Sequence, residues 1–73
     1  MDRFEEMKAF AAVVDAGSFV RAAEAMQVSK TAVSRLVGDL EARLGVRLLH
    51  RTTRRLSLTV EGEVFHARCK ELL

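Results

Sequence analysis

The sequence predicts a mainly α-helical fold with one small β-hairpin. Apolar residues recur every three or four positions in four segments, which is the period of amphipathic helices. Two of these segments are separated by only a few residues, and between residues 49 and 59 the pattern changes to the alternation of short, half-buried strands. A chain of 73 residues, of which 49% are apolar, forms one folded domain at most.

The first two helices are predicted over residues 2–15 and in the short segment after Ser18. Gly17 ends the first helix, and the Ser18 hydroxyl is suited to cap the second. Gln27 then stands in a turn where glycine is common, so a non-glycine residue near positive φ is expected there. The expected apolar stripes are Phe4, Met7, Phe10, Ala11 and Val14 in the first helix, and Phe19, Ala22, Ala23 and Met26 in the second.

A third helix is predicted from Ser29, whose hydroxyl can accept an amide of the first turn. The opposite face carries small or hydrogen-bonding residues and one protruding Arg, which suits insertion into a groove, whereas a solvated face carries long Glu and Lys side chains. Gly38 in mid-helix lowers helix stability, and two explanations are equally good: close approach of another surface, or neutral sequence drift that the fold tolerates. The buried stripe comprises Val33, Leu36, Val37, Leu40 and Leu44, and the opposite face Thr31, Ser34, Arg35, Gly38 and Ala42.

The second and third helices have the spacing of a helix-turn-helix. Two helices joined by a short turn can cross steeply only where the first offers a small residue, here Ala23. Apolar residues at Val28, Val33 and Leu36 are expected to lock the second of them. In that arrangement the third helix is a recognition helix for the major groove of DNA. A small helical bundle that binds no nucleic acid is the alternative.

A two-stranded hairpin follows, with Leu49 in the first strand and residues 56–59 in the second. Arg51, Arg54 and Arg55 project from this ribbon, where they can reach phosphates or enter the minor groove. The alternative is that these arginines serve only solubility.

Positive charge is concentrated in one part of the chain. The net charge is +2, but residues 28–59 hold seven basic and two acidic side chains, so this segment carries +5 and the remainder −3. Such asymmetry indicates an anionic partner. A merely solvated charged face is the alternative.

A series of short motifs, taken in order, resembles the amino-terminal domain of LysR-type regulators. The resemblance covers essentially the whole chain and implies a winged helix-turn-helix over residues 1–59, followed over residues 60–73 by the start of a linker helix that pairs two subunits. It also implies a separate domain that senses a small-molecule inducer, absent from these 73 residues, and full-length proteins that are often tetramers. The motifs are Gly17-Ser18-Phe19, Ala22-Ala23, Val28-Ser29, Ala32-Val33-Ser34-Arg35, Leu40-Glu41, Leu44-Gly45-Val46, Leu48-Leu49, Arg51, Leu58-Thr59 and Glu61-Gly62.

The resemblance also assigns site residues. Ser18 caps a helix whose amino end approaches a phosphate, and the third helix reads bases. Lys30 and Thr31 stand where Gln and Pro are frequent in the family, which leaves base preference open, and Gly38 and Asp39 replace basic residues, which weakens backbone contact. The expected DNA contacts are Ser18, Ser29, Lys30, Thr31, Ser34, Arg35, Arg51, Thr53, Arg54 and Arg55.

The last helix, capped by Thr59, is expected to form a homodimer. Its stripe of Phe65, Cys69 and Leu72, with Val64 beside it, has too few apolar residues nearby in sequence to cover it. Packing against the same helix of a second chain would place two recognition helices on a roughly palindromic double-stranded operator. The stripe is still running at the last residue, which favours a fragment of a longer protein.

Other functions are disfavoured by what the sequence lacks. Catalysis needs a pocket of convergent polar groups, and the chain offers two isolated histidines without a nucleophile–base pair or a glycine-rich phosphate loop. Cys69, His50 and His66 are too few for a zinc site, so no metal and no cofactor are expected. The chain has no apolar run near about 18 residues and no basic leader, which favours a cytoplasmic protein without membrane contact.

The remaining alternative is a winged helix that binds another protein. It predicts an exposed apolar patch in place of the Arg54 and Arg55 tip.

Overall fold

Helices account for most of the chain in a computed structural model, which describes residues 3–50 and 56–73. The strands pair antiparallel, with Leu49 opposite Leu58 and His50 opposite Ser57. The predicted mainly α fold with a small hairpin is therefore confirmed. No helix in the described residues is long and apolar enough to cross a membrane. The element order is α1 (Arg3–Ala16), α2 (Phe19–Met26), α3 (Lys30–Leu44), β1 (Leu49–His50), β2 (Ser57–Leu58) and α4 (Val60–Leu72).

The predicted helix starts are confirmed by hydroxyl caps. The side-chain oxygens of Ser18, Ser29 and Thr59 each accept the amide N–H three residues further on, at 3.2, 3.0 and 2.9 Å. Each bond satisfies one of the amides that the first turn of a helix leaves without a partner. At the other end of α1, Gly17 adopts the left-handed conformation that ends the helix.

The turn between α2 and α3 is closed by Gln27, which adopts φ 61° and ψ 42°. Its N–H donates to the Glu24 carbonyl, and the Val28 N–H donates to the Ala23 carbonyl at 3.0 Å, so the last carbonyls of α2 are satisfied. The expected positive φ is confirmed. The expectation that the Val28 side chain locks α3 is wrong: this residue holds the turn through its amide, and its side chain is 42% exposed.

The core forms where α1 packs against α2, α3 and α4. On α3 the predicted stripe is confirmed from Val33 to Leu40, but Leu44 in the last turn is exposed and lines a surface groove instead. The largest fully buried apolar side chains are Phe10, Val13, Val33, Val37, Leu48, Leu49 and Cys69.

The buried face of α1 differs from the predicted stripe. Phe10 and Ala11 are buried as expected, Phe4 is half-exposed, and the other two members are only partly buried. Ala9 and Val13, on another side of the helix, are fully buried. The single-stripe prediction was wrong because three helices pack around α1 and cover more than one of its sides.

An ion pair between a buried carboxylate and an exposed guanidinium joins α1 to the end of α3. The Glu6 carboxylate is fully buried, and the Arg43 guanidinium donates to its two oxygens at 3.2 and 2.8 Å. The hydrogen bonds from Arg43 hold the pKa of Glu6 below its ordinary value, against the opposing effect of burial.

Helix α4 belongs to the same core. Cys69 is fully buried, and the Phe65 ring packs against Phe10 with 5.9 Å between ring centroids. The expectation that Cys69 belongs to an intermolecular stripe is therefore wrong, because α1, which is distant in sequence, covers it. Phe65 is only partly buried and also lines a surface groove, so its part in a dimer stays a prediction. Burial also raises the pKa of the Cys69 thiol.

Candidate nucleic-acid interface

The amino-terminal half of α3 presents a polar face opposite its buried stripe. Lys30, Thr31 and Arg35 are exposed, and Ser34 is half-buried. At 100° per residue these four side chains span an arc of about 140°, and the fully buried Val33 lies outside it. The structure therefore brings four of the predicted contacts together on one surface.

Lys30 and Arg35 supply unpaired positive charge on this face. In the described part of the chain, the basic side chains of Lys8, Arg43 and Lys70 form ion pairs, whereas Lys30 and Arg35 form none. A cation that is already paired must give up its partner before it binds an anion. The charges on α3 are free to meet a phosphate or a base edge without that loss.

Ser18 and Ser29 fix the amino ends of α2 and α3. Their side-chain oxygens are engaged by the amides of Arg21 and Ala32. Helix amino ends carry partial positive charge and other amides without intrahelical partners, which favour an anion nearby. The geometry thus gives these two serines an orienting role at the helix ends.

The hairpin is described only at its base. Leu49 of β1 is buried in the core, and His50, opposite Ser57 of β2, is exposed. The remaining predicted wing contacts lie outside the described residues, and their roles stay predictions. They are Arg51, Thr53, Arg54 and Arg55.

Glu41 is a buried polar residue for which no role was predicted beyond its place in the Leu40-Glu41 motif. Its side chain is on α3, and its Oε2 accepts the N–H groups of Leu48 and Leu49 at 2.8 and 3.2 Å. A signal was present: at 100° per residue Glu41 lies about 80° from Val33, too near the apolar stripe for a fully solvated carboxylate. What remained hidden was its partner, an irregular segment that leads into β1.

The exposed face of α4 differs from the predicted dimer face. Val64 and Leu72 are 59% and 68% exposed, whereas Phe65 and Cys69 face the core. Val60, which the sequence stripe did not include, is 74% exposed and lies about 40° from Val64 on the helix. The most exposed apolar side chains of α4 are therefore Val60, Val64 and Leu72, and the partly buried Phe65 lines a groove beside Val60 and Val64.

A family model described as "Bacterial regulatory helix-turn-helix protein, lysR family" matches residues 4–63. The chain belongs to the LysR family. The resemblance drawn from the motifs is thereby confirmed. Among the described residues no group of three or more His, Cys, Asp and Glu side chains is arranged to hold a metal ion.

Similar family members include regulators from two bacteria. An HTH-type transcriptional repressor of Pseudomonas aeruginosa (strain UCBPP-PA14) is 55% identical over 73 residues, which are 100% of this chain and 23% of the relative. The HTH-type transcriptional regulator CrgA of Neisseria meningitidis serogroup B (strain ATCC BAA-335 / MC58) is 52% identical over 69 residues, which are 94% of this chain and 23% of the relative. The chain thus spans about a quarter of the length of the curated relatives it matches.

Solved structures of the family share the fold. The BenM DNA-binding domain in complex with catB site 1 DNA superposes with a TM-score of 0.92 and 33% identity, covering 99% of this chain and 79% of that one. The CbnR DNA-binding domain in complex with DNA gives a TM-score of 0.90 and 38% identity, covering 99% and 82%. The winged helix-turn-helix fold is therefore confirmed.

Proposed function

We propose that this chain is the sequence-specific, double-stranded DNA-binding module of a LysR-type transcription regulator. Helix α3 enters the major groove, and the hairpin contacts the backbone or the minor groove. The observation that carries the proposal is the exposed face of α3, where Lys30 and Arg35, which form no ion pair within residues 3–50 and 56–73, flank Thr31 and Ser34. An α-helix fits the major groove, and Arg or Lys side chains bind the guanine edge there.

The related structures support this proposal. The BenM and CbnR domains, which have the same fold as this chain, are described in complex with DNA. The proposed contacts on α3 are supported by the geometry of this chain. The proposed wing contacts are supported by the sequence alone, and they are Arg51, Thr53, Arg54 and Arg55.

We also propose that two copies of the chain pair through the exposed side of α4. The apolar side chains of Val60 and Val64 lie beside a groove that is also lined by Leu44 and Val46. A second copy is the occupant we assign to this face, since an operator read by two symmetric recognition helices requires the two copies to be joined. This groove is an apolar patch of the kind that a protein-binding winged helix would expose. It is lined from the carboxyl end of α3, whereas the cations Lys30 and Arg35 lie in the amino-terminal half.

In a longer protein of the family, we propose that α4 begins a linker to a domain that senses a small-molecule inducer. The regulator acts on DNA in the cytoplasm and has no catalytic role. In this arrangement residues 1–59 form the DNA-binding domain, and residues 60–73 both complete its core and lead towards the rest of the protein.

A salt titration of DNA affinity tests the proposal. If two copies together neutralise about eight phosphates, the logarithm of affinity falls against the logarithm of salt concentration with a slope of about −7. A slope near zero contradicts DNA binding. Selection of bound sequences from a random duplex pool then gives the operator, which we expect to be a rough inverted repeat.

A further inference from the structure

Glu41 lies at the junction between the recognition helix and the base of the hairpin. One of its carboxylate oxygens accepts two consecutive backbone N–H groups, those of Leu48 and Leu49, whose side chains are themselves buried. Hydrogen bonds to an ionised carboxylate are stronger than those between neutral groups. This contact therefore ties α3 to the start of β1 through the backbone.

The start of α4 holds the same segment through its carbonyl groups. The Thr59 hydroxyl donates to the Arg47 carbonyl at 2.6 Å, and the Thr59 N–H donates to the Leu48 carbonyl at 3.1 Å. Gly62 lies so close to that carbonyl that a Cβ at its position would overlap the oxygen. The Leu48 peptide is thus bound by α3 through its N–H and by the start of α4 through its oxygen.

We propose that Glu41 is a positioning residue for DNA binding, which sets the angle between α3 and the hairpin so that both engage one duplex. This inference rests on the proposed function. Glu41 is 8% exposed and directed at backbone amides, so it acts through the elements that it joins and not by touching DNA. Two binding surfaces on one rigid ligand must be aligned within about 0.5 Å and 10–20° to contribute together.

Two substitutions separate the reach of this side chain from its charge. Glu41→Asp keeps the charge but is one methylene shorter, so its oxygen no longer reaches both amides. Glu41→Gln keeps the length and an acceptor oxygen but loses the charge. Glu5→Asp, on the exposed surface of α1, is the matched control for a shortened acidic side chain.

The readouts are affinity for a duplex selected with the wild-type chain, amide hydrogen exchange at Leu48 and Leu49, and thermal unfolding. We expect Glu41→Asp to remain folded, to exchange faster at these two amides and to bind DNA about tenfold more weakly, as for the loss of one charge-assisted hydrogen bond. We expect Glu41→Gln to stay within about threefold of wild type, because a neutral acceptor of the same length restores most of the bond. Glu5→Asp changes neither exchange nor affinity.

Several results would overturn the inference. One is wild-type affinity in Glu41→Asp despite faster exchange at the two amides. Another is a loss of affinity in Glu41→Gln without a loss in Glu41→Asp, which would assign the effect to charge and not to the reach of the side chain. A Glu41→Asp chain that does not fold also contradicts it, because the residue would then hold the domain together and not position its parts. The salt dependence of DNA affinity is measured on the wild-type chain before any variant is made. A slope near zero in that measurement rejects the proposed function itself.

Discussion

Arg35 is the one arginine on a face of α3 that also carries Lys30, Thr31, Ser34 and Gly38. It is exposed and forms no ion pair within the described residues. A planar guanidinium with several donors can bind a guanine edge through two parallel hydrogen bonds, which is how sequence is read in the major groove.

Replacing Arg35 by Ala should therefore cost about 1 to 3 kcal/mol on the preferred site and reduce selectivity at one base position. Arg54→Ala, if that residue grips the backbone as the sequence predicts, should weaken all sequences alike and reduce the salt slope by about one. Binding to a panel of single-base operator variants at several salt concentrations separates the two. Equal losses that do not depend on sequence would show that Arg35 is only a phosphate contact.

Single residues were predictable where their role depends on near neighbours. Ser18, Ser29 and Gln27 act on atoms within a few positions, so helix-end chemistry alone identified them. Glu6 was not predictable, because its partner Arg43 is 37 positions away and only the packing of α1 on α3 brings the two together.

Among the elements, the continuous helix α3 carries Gly38 in its middle, and no neighbouring atom requires a glycine there. A Cβ built at this position meets nothing within 4 Å. No atom of this chain therefore excludes a side chain at position 38. Two explanations remain, which are the close approach of a partner and neutral drift of the sequence.

We expect Gly38→Ala to raise the free energy of unfolding by about 1 kcal/mol, because Ala is the better helix former. We also expect it to weaken DNA binding, since the added methyl group lies on the face proposed to enter the groove. Ala42→Gly on the same helix is the control and should lower stability by a similar amount. Urea unfolding and operator binding measure both effects, and unchanged affinity in Gly38→Ala would favour drift.

The elements themselves were predictable to different degrees. Helix α3 packs one stripe on the core, so its period gave most of its buried residues. Helix α1 is covered on more than one side, and α4 is covered by α1, so their buried faces depend on the arrangement of the whole fold. The proposed reading face could be predicted from the sequence because it follows from α3, whereas the exposed face of α4 could not.

For the whole molecule, the ion pair between the buried Glu6 and the exposed Arg43 couples stability to pH. Because the pKa of Glu6 is lowered in the folded chain, the unfolded chain binds this proton more readily. The pair's contribution is therefore present above the ordinary titration range of Glu, about pH 4.3, and is lost as the pH falls through the lower pKa of the folded state.

Between about pH 6 and pH 3 we expect the wild-type chain to lose more stability than Glu6→Gln, which has nothing to titrate at this position. Urea unfolding of both chains across that range measures the difference. Parallel pH profiles would show that the ion pair does not contribute to the pH dependence.

The proposed pairing of two copies through the exposed side of α4 can be tested by substitution. Val64→Glu places a charge on the exposed side of α4, so it should abolish pairing while the domain stays folded, because Val64 is 59% exposed. Val20→Glu, at a valine of α2 that is 51% exposed, is the control and should leave pairing unchanged. Sedimentation of each variant with a palindromic duplex tests this, and cooperative loading of Val64→Glu as a pair would place the dimer contact elsewhere.

The buried Cys69 and the packing of Phe65 against Phe10 attach α4 to the domain from which it emerges. Asp15 at the end of α1 adds contacts to His66 and Lys70 at 3.2 and 3.3 Å. A rotation of α4 is therefore expected to rotate the rest of the domain with it. Over the longest dimension of 29 Å, a rotation of about 7° moves the far side by roughly 3.5 Å, close to the 3.4 Å rise of one base pair. If two copies pair through α4 as proposed, a small change in the angle between the two helices is enough to shift the spacing between half-sites by about one base pair.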